Sequence, residues 1–364
     1  MANNWLAICL LTSLLNRLFI CDSIPYVIQS KFVNIDTIDN VSHNRLLGLL
    51  EYRSHSSNEP SPLNSSTPSI SVDMVSPHHS PITEAWISTH PVEYLKKNDW
   101  SFSMDGHNLI ASLSFEANDT HIDTIVEAHY HYLFNELFNM GYPHLLRVWN
   151  YIPDINAPND LHGERYKSFC FGRSQAFSRY FSQNTASIPA ATGIGALSGS
   201  FSIFAIAQRH DTNHALSIQH LENPHQIPAY QYPKQYGDRP PSFSRATSYI
   251  NDQTHTIYIS GTSSVKGADS IYEGNSIKQT EATFDNLSYL ISAENLQSYG
   301  LQSGYQLTDI DSIKVYIRHL HDFEVIQNMC REVFSNSAQI MFLHADICRS
   351  NLAVEIEGII TQPL

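Results

Sequence analysis

Basic residues are scarce in this chain: 21 Lys and Arg stand against 35 Asp and Glu, a formal charge of −14 over 364 residues. A nucleic-acid partner is thereby disfavoured, because phosphate recognition needs cations in excess. Cysteine is also sparse, at five residues with no CxxC pair, so neither a disulfide framework nor a zinc site is supported. The nineteen histidines are scattered. Pairs such as His78–His79, or His129 and His131, lack companions at metal-ligand spacing, and no metal is expected. An apolar run of spanning length is missing as well: WLAICLLTSLL near the start is interrupted by Asn16 and Arg17 before LFI. That run has no basic start and no clear small-residue cleavage site, so a signal peptide is poorly supported. Residues 1–30 are set apart as an apolar segment of open status, a docked helix or an over-extended start. No membrane partner is expected, and the expected location is cytoplasmic.

What is present describes a globular protein. Hydrophobic residues make up 42% and charged residues 15%, and the length suffices for two domains. Seven of the thirteen arginines fall between Arg147 and Arg245, which suggests a local anion site in an otherwise acidic body. Residues 54–82 are rich in Ser and Pro and suggest a long insertion carrying one strand-like run at Ile70 to Met74. Alternation predicts strands at Leu46 to Tyr52, TEAWIS, SFSMDG, LIASLSF, RVWNYI and FSIFAIA. Apolar stripes predict helices at His121 to Met140 and Tyr166 to Tyr180. PAATGIGA, from Pro189, lacks the Lys-Ser/Thr of a phosphate loop, so Gly193 and Gly195 are assigned to close backbone packing.

From Ser248 the pattern is strand pair, helix (Gln279 to Leu296), strand SIKVYIR, helix (Asp322 to Phe334), then strands QIMFLHA and LAVEIEGII. It predicts an α+β layer with helices on one face of a mixed sheet. This segment resembles the RidA/YjgF imine-deaminase fold. That family's catalytic Arg is replaced here by Gln339 in Ser337-Ala338-Gln339, and Gln supplies no bidentate cation, so the resemblance implies the scaffold without the deaminase activity.

Between Glu222 and Thr247 the chain reads ENPHQIPAYQYPKQYGDRPPSFSRAT, whose five prolines exclude a regular strand and stiffen an extended path. Together with RVWNYIPDIN, ERYKSFCFGR, PAATGIG and ISGTSS, this block resembles the chorismatase (chorismate-hydrolysing) family from about Leu46 to the C-terminus. The resemblance implies two RidA/YjgF-like halves: an N-terminal α+β domain at 31–207, a connecting substrate-site segment at 208–247 and a C-terminal domain at 248–364. It also implies hydrolysis of the enolpyruvyl ether of chorismate to pyruvate and a dihydroxycyclohexadiene carboxylate or hydroxybenzoate. No cofactor is needed, because proton transfer and water suffice. Oligomeric state is left between a monomer and a small homo-oligomer.

A substrate with two carboxylates calls for arginines, and Arg147, Arg173 and Arg245 each sit inside a matched block. Tyr151, Tyr166, Tyr230 and Tyr232 are candidate donors to carboxylate or ring oxygens, and Gln226 a candidate for orienting a ring hydroxyl. The enol ether must be protonated on its methylene carbon, which needs a carboxylic acid kept protonated by burial. By resemblance that acid is the Glu of a GTASIVGHES-like segment. Here GTSSVKGADS (Gly261 to Ser270) puts Asp269 at the Glu position and Ala268 at the preceding His. The expected catalytic residue is therefore Asp269. Its shorter side chain motivates an alternative, a drifted relative that binds an aromatic or cyclohexadiene carboxylate without turnover.

Overall fold

A computed structural model describes residues 27–33, 43–54, 67–77, 81–181, 188–209, 217–251 and 253–364. Most of the apolar start and much of the 54–82 stretch lie outside the described residues, as does part of the connecting segment.

The chain first lays down a four-stranded sheet: β1 (Ile28–Val33), β2 (Leu46–Arg53), β3 (Ser69–Asp73) and β4 (Ile82–Ser88), in the order β1-β4-β2-β3. It continues with β5 (Glu93–Lys97), β6 (Trp100–Met104), β7 (Asn108–Phe115), α1 (Ile122–Asn139) and β8 (His144–Pro153). A two-residue hairpin, β9 (Pro158–Asn159) and β10 (Gly163–Glu164), leads into α2 (Arg165–Tyr180), β11 (Ala190–Ala196) and β12 (Phe201–Gln208). The last part comprises β13 (Ser217–Leu221), β14 (Ala246–Ile250), β15 (Thr254–Ser263), the small hairpin β16 (Val265–Lys266) and β17 (Asp269–Ser270), and α3 (Ser276–Leu290). It ends with α4 (Ala293–Gln297), β18 (Ser312–Ile317), α5 (Phe323–Val333), β19 (Gln339–His344) and β20 (Val354–Pro363).

The two six-stranded sheets repeat one topology. Their orders are β11-β8-β12-β7-β6-β5 and β19-β18-β20-β15-β14-β13. Strands β5 to β8, β11 and β12 thus correspond in turn to β13, β14, β15, β18, β19 and β20. In both sheets one pair is parallel, β8 with β11 and β18 with β19, and the remaining pairs are antiparallel. Two helical crossovers fall at equivalent places, α1 and α2 against α3 and α5. The fold is α+β with mixed sheets, as the sequence pattern implied, and has two halves of like topology, as the resemblance implied.

Burial follows from alternation. One face of each sheet is covered by its own helices: Val126, Leu133, Phe134 and Phe177 pack on the first, Leu287, Leu290, Ile326 and Cys330 on the second. The opposite faces share a third core containing Trp149, Tyr151, Phe204, Tyr258, Tyr316 and Leu343, to which β2, β3 and β4 add Leu50, Val72 and Trp86. Edge strand β11 of the first sheet lies against β14 and β15 of the second. PAATGIGA is a strand, and its glycines do meet neighbours closely: a Cβ on Gly195 would lie 2.7 Å from the Asp346 Cβ, and one on Gly193 would lie 3.2 Å from the Tyr166 ring. Because both faces of the second sheet are buried, charged residues on its inner face must find partners inside the protein.

Candidate active site

Several segments converge on a cavity of about 320 Å³ between the halves. The start of α2 supplies Glu164, Tyr166 and Lys167, and the proline-rich segment supplies Tyr232, Tyr236, Phe243 and Arg245. The end of β15 and the residues after it contribute Gly261, Ser263 and Val265; the β19–β20 loop contributes Cys348, Arg349 and Leu352, and β20 contributes Glu355. The prolines act locally as expected of stiffeners. Pro228 and Pro233 each precede a single 3-10 turn, at Ala229–Gln231 and Lys234–Tyr236. Those turns set Tyr232 and Tyr236 on the cavity wall.

Arg245 is 3% exposed, and its Nη2 donates to the Tyr232 hydroxyl at 2.8 Å and to the Ile227 carbonyl at 3.0 Å. Its Nε is buried without a hydrogen-bond partner, 3.9 Å from Glu222 Oε2. Burial pushes Glu222 up to about 7, against the pull of Arg245. Arg349 stacks over Tyr236 at 4.0 Å from the ring centroid and lies 5.1 Å from that of Tyr232, while its Nη1 donates to the Ala268 carbonyl at 2.8 Å. The cavity therefore has two guanidinium groups held by aromatic rings and backbone oxygens, a geometry suited to an anionic ligand.

Glu355 is the buried carboxyl group of this cavity. It is 4% exposed, accepts from Ser263 Oγ at 3.2 Å and lies 4.0 Å from Cys348 Sγ. Burial first, and then the charge of Glu357, raise its pKa to about 8; Ser263, Arg147 and Arg245 pull weakly the other way. Glu355 is thus a carboxylic acid that keeps its proton at neutral pH. Gly261 makes room for it, since a Cβ there would fall 2.0 Å from Glu355 Oε1.

Asp269 does not meet the burial that its expected role requires. It sits on the two-residue strand β17 with an exposed side chain, at the outer rim, where the Tyr236 hydroxyl donates to it. Lys266, on the facing strand of the same hairpin, is exposed as well.

The other predicted site residues divide into two groups. Tyr166, Tyr232 and Arg245 line the cavity. Arg147 is instead buried on β8, ion-paired to Glu357 at 2.8 Å and stacked on Trp149 at 4.6 Å. Tyr151 shares a 2.7 Å hydrogen bond with Tyr52 inside the shared core. Arg173 lies in the helix layer between Tyr130 and Phe177, at 5.2 and 5.0 Å from their centroids. Gln226 donates to the Val265 carbonyl at 3.1 Å, bracing the β16–β17 hairpin. Tyr230 stands behind the wall, beside Glu222. Gln339, where the deaminase Arg is expected, is exposed at the start of β19 and accepts the Phe32 N–H at 2.8 Å.

Comparison with known proteins shows the family. A family described as "Chorismatase FkbO/Hyg5-like, N-terminal" matches residues 84–207. A 3-hydroxybenzoate synthase of Streptomyces hygroscopicus is 35% identical over 323 residues, 86% of this chain and 91% of its own length. The chain belongs to the chorismatase family. A chorismatase of Streptomyces rapamycinicus is 40% identical over 230 residues, 63% of this chain and 67% of its own length. A crystal structure of a chorismatase superposes with a TM-score of 0.85 at 32% identity, covering 93% of this chain and all of that one. Among the described residues, no helix is long and apolar enough to cross a membrane.

Glu355, Arg349, Tyr236 and Cys348 were not among the residues singled out from the sequence. The available signal was the pair Glu355 and Glu357 in LAVEIEGII, two carboxylates on one face of a strand that lies mid-sheet. On an isolated strand such alternation denotes a solvent face.

Proposed function

We propose that this chorismatase hydrolyses the enolpyruvyl ether of chorismate with Glu355 as the proton donor, while Arg245 and Arg349 hold the substrate's carboxylates. The observation that carries this reading is a buried carboxyl group, with its pKa at about 8, opening into a cavity that also holds two guanidinium groups. Protonation of the side-chain methylene by Glu355 moves the vinyl π electrons into the new C–H bond and leaves an oxocarbenium-like carbon. Water adds to that carbon and gives up a proton, and the resulting hemiketal collapses to pyruvate and the ring alcohol. With water counted, chorismate gives pyruvate plus a dihydroxycyclohexadiene carboxylate. If the ring then loses water, the second product is a hydroxybenzoate and no net water is consumed. Tyr166, Tyr232 and Tyr236 wall the ring and supply hydroxyl donors. This reading moves the acid from Asp269 to Glu355, and the Glu-to-Asp change that motivated a non-catalytic relative no longer bears on the proton donor.

The test is pyruvate release from chorismate by purified wild type and Glu355→Gln. General acid catalysis contributes about 10²–10⁴-fold, so a loss in that range is expected in the variant. Wild-type protein that binds chorismate but releases no pyruvate would contradict the hydrolase reading. A Glu355→Gln variant with full activity would contradict only the choice of acid.

A further inference from the structure

Glu357 lies two residues beyond Glu355 on the same inner face of β20, and its surroundings are the opposite of those of Glu355. Its Oε1 accepts from Trp149 Nε1 at 2.6 Å and lies 2.8 Å from Lys314 Nζ; its Oε2 accepts from Arg147 Nη2 at 2.8 Å and from the Thr192 hydroxyl. Lys314 is in turn bound to Glu84 Oε2 at 2.7 Å. Burial alone would raise Glu357, but Lys314 and Arg147 outweigh it and hold the carboxylate below its usual range. Glu357 is therefore a fixed negative charge behind the cavity.

Thr192 connects this charge to the cavity floor. The register of β15 against β20 slips between Ile259 and Thr262, so that Ser260 and Gly261 form a bulge opposite Glu357. The Gly261 N–H donates to Thr192 Oγ1 at 3.0 Å, and the same hydroxyl receives Arg147 and donates to Glu357. Gly261 is the residue over which the Glu355 carboxyl rests.

We propose that Glu357 and Thr192 are positioning residues for the proton donor: Glu357 is an ionised backstop that opposes a second negative charge on Glu355, and Thr192 fixes the bulge on which Glu355 lies. The inference rests on Glu355 being the acid. A negative charge held close by in a water-poor interior acts strongly on its neighbour's ionisation. The other groups facing Glu355 are Ser263 from β15, Cys348 and Arg349 from the β19–β20 loop, Arg147 from β8, Arg245 ahead of β14 and Tyr166 from α2. Of these, Ser263, Arg147 and Arg245 favour the ionised form; burial opposes them first, and the negative charge of Glu357 adds to it.

The decisive variant is Glu357→Gln, which removes the backstop and leaves Arg147 and Lys314 without that carboxylate. Both changes favour ionised Glu355. The basic limb of kcat/KM for pyruvate release is expected to move down by about one pH unit or more. In parallel, the Glu355 carboxyl titrated by ¹³C NMR, assigned through the spectrum of Glu355→Gln, is expected to show the same downward shift. An unshifted midpoint in folded Glu357→Gln would overturn the proposal. Thr192→Val keeps every charge and covers the case in which Glu357→Gln does not fold. It is expected to lower kcat about tenfold with KM little changed, as misplacement of a reacting group does, and Thr192→Ser is expected to restore it. Wild-type kcat in Thr192→Val would equally overturn the proposal. The NMR titration needs no turnover. A wild-type protein inert toward chorismate would therefore count against the hydrolase reading, while the titration still decided the coupling of the two carboxyls.

Discussion

Glu355 and Glu357 share a strand, a face and near-complete burial, yet Glu357 has four donors around it, two of them cations, and Glu355 has a hydroxyl and a thiol. Their environments drive the two pKa values apart, which is how one site obtains a fixed charge and a mobile proton. A stability consequence follows. Glu355 titrates near 8 in the folded protein, above the value of about 4.3 for an unfolded Glu. Folding then binds a proton, and the native state loses stability as pH rises from the unfolded to the folded value. Glu355→Gln removes that burden. It is expected to unfold at higher denaturant concentration than wild type above pH 8, by on the order of a few kcal/mol, with little difference at pH 4; equal midpoints at both pH values would contradict the shift. Asp269→Asn, by contrast, is expected to keep pyruvate release close to wild type, because the side chain is exposed at the rim. Motif position pointed to Asp269, but a short motif carries no information on burial, and burial decides which carboxyl retains its proton. Arg245 and Tyr232 were legible because they sit in a segment whose prolines restrict it to few paths. Arg147 and Arg173 carry the same residue type in equally matched blocks but do not line the cavity: Arg147 pairs with Glu357 and Arg173 packs against aromatic rings.

At the scale of elements, the bulge at Ser260 and Gly261 is the feature on which the site depends. Ser260 N–H donates to the Arg245 carbonyl at 2.9 Å and Ser260 Oγ accepts from Ala191 N–H at 2.9 Å, so the bulge ties Arg245 and strand β11 to β15. Gly261→Ala is expected to fold, since no left-handed φ is required there, but to push the Glu355 carboxyl aside, given the 2.0 Å approach. A displacement of that size predicts a loss in kcat of about 100-fold with native circular dichroism; unchanged kcat would contradict the placement of Glu355. Strands and helices were largely legible from alternation and apolar stripes. The helix expected over Gln279 to Leu296 is the exception. It begins at Ser276, where the Asn275 side chain caps it by accepting the Lys278 N–H at 2.9 Å. It then breaks before Ser292, whose hydroxyl caps α4 by accepting the Asn295 N–H at 3.2 Å. Both stops are capping side chains, which an apolar stripe does not report. The bulge was not legible either, because a one-residue slip depends on what the partner strand and β11 require.

For the whole molecule, the repeated strand order means that each half protects one face of its sheet with helices and the other with its counterpart. That second interface encloses Glu84, Lys314, Glu357 and Arg147, two charges of each sign drawn from three sheets. Removing one member leaves a buried charge unmatched. Lys314→Met is expected to destabilise the protein by about 3–5 kcal/mol in denaturant unfolding, and less when combined with Glu84→Gln than the sum of the two separately; strict additivity would contradict direct coupling. The α+β class was visible in the pattern of elements, and the twofold plan was implied by the family resemblance. The charged centre was not, because a Lys in SIKVYIR or a Glu in LAVEIEGII acquires its meaning only when both sheet faces are covered.

The most direct measurement is the pH dependence of kcat/KM for pyruvate release from chorismate, made on wild type, Asp269→Asn and Glu355→Gln together. The account predicts that wild type and Asp269→Asn share a basic limb near pH 8, and that Glu355→Gln lacks both the limb and most of the rate. Loss of activity in Asp269→Asn with an intact profile in Glu355→Gln would contradict it.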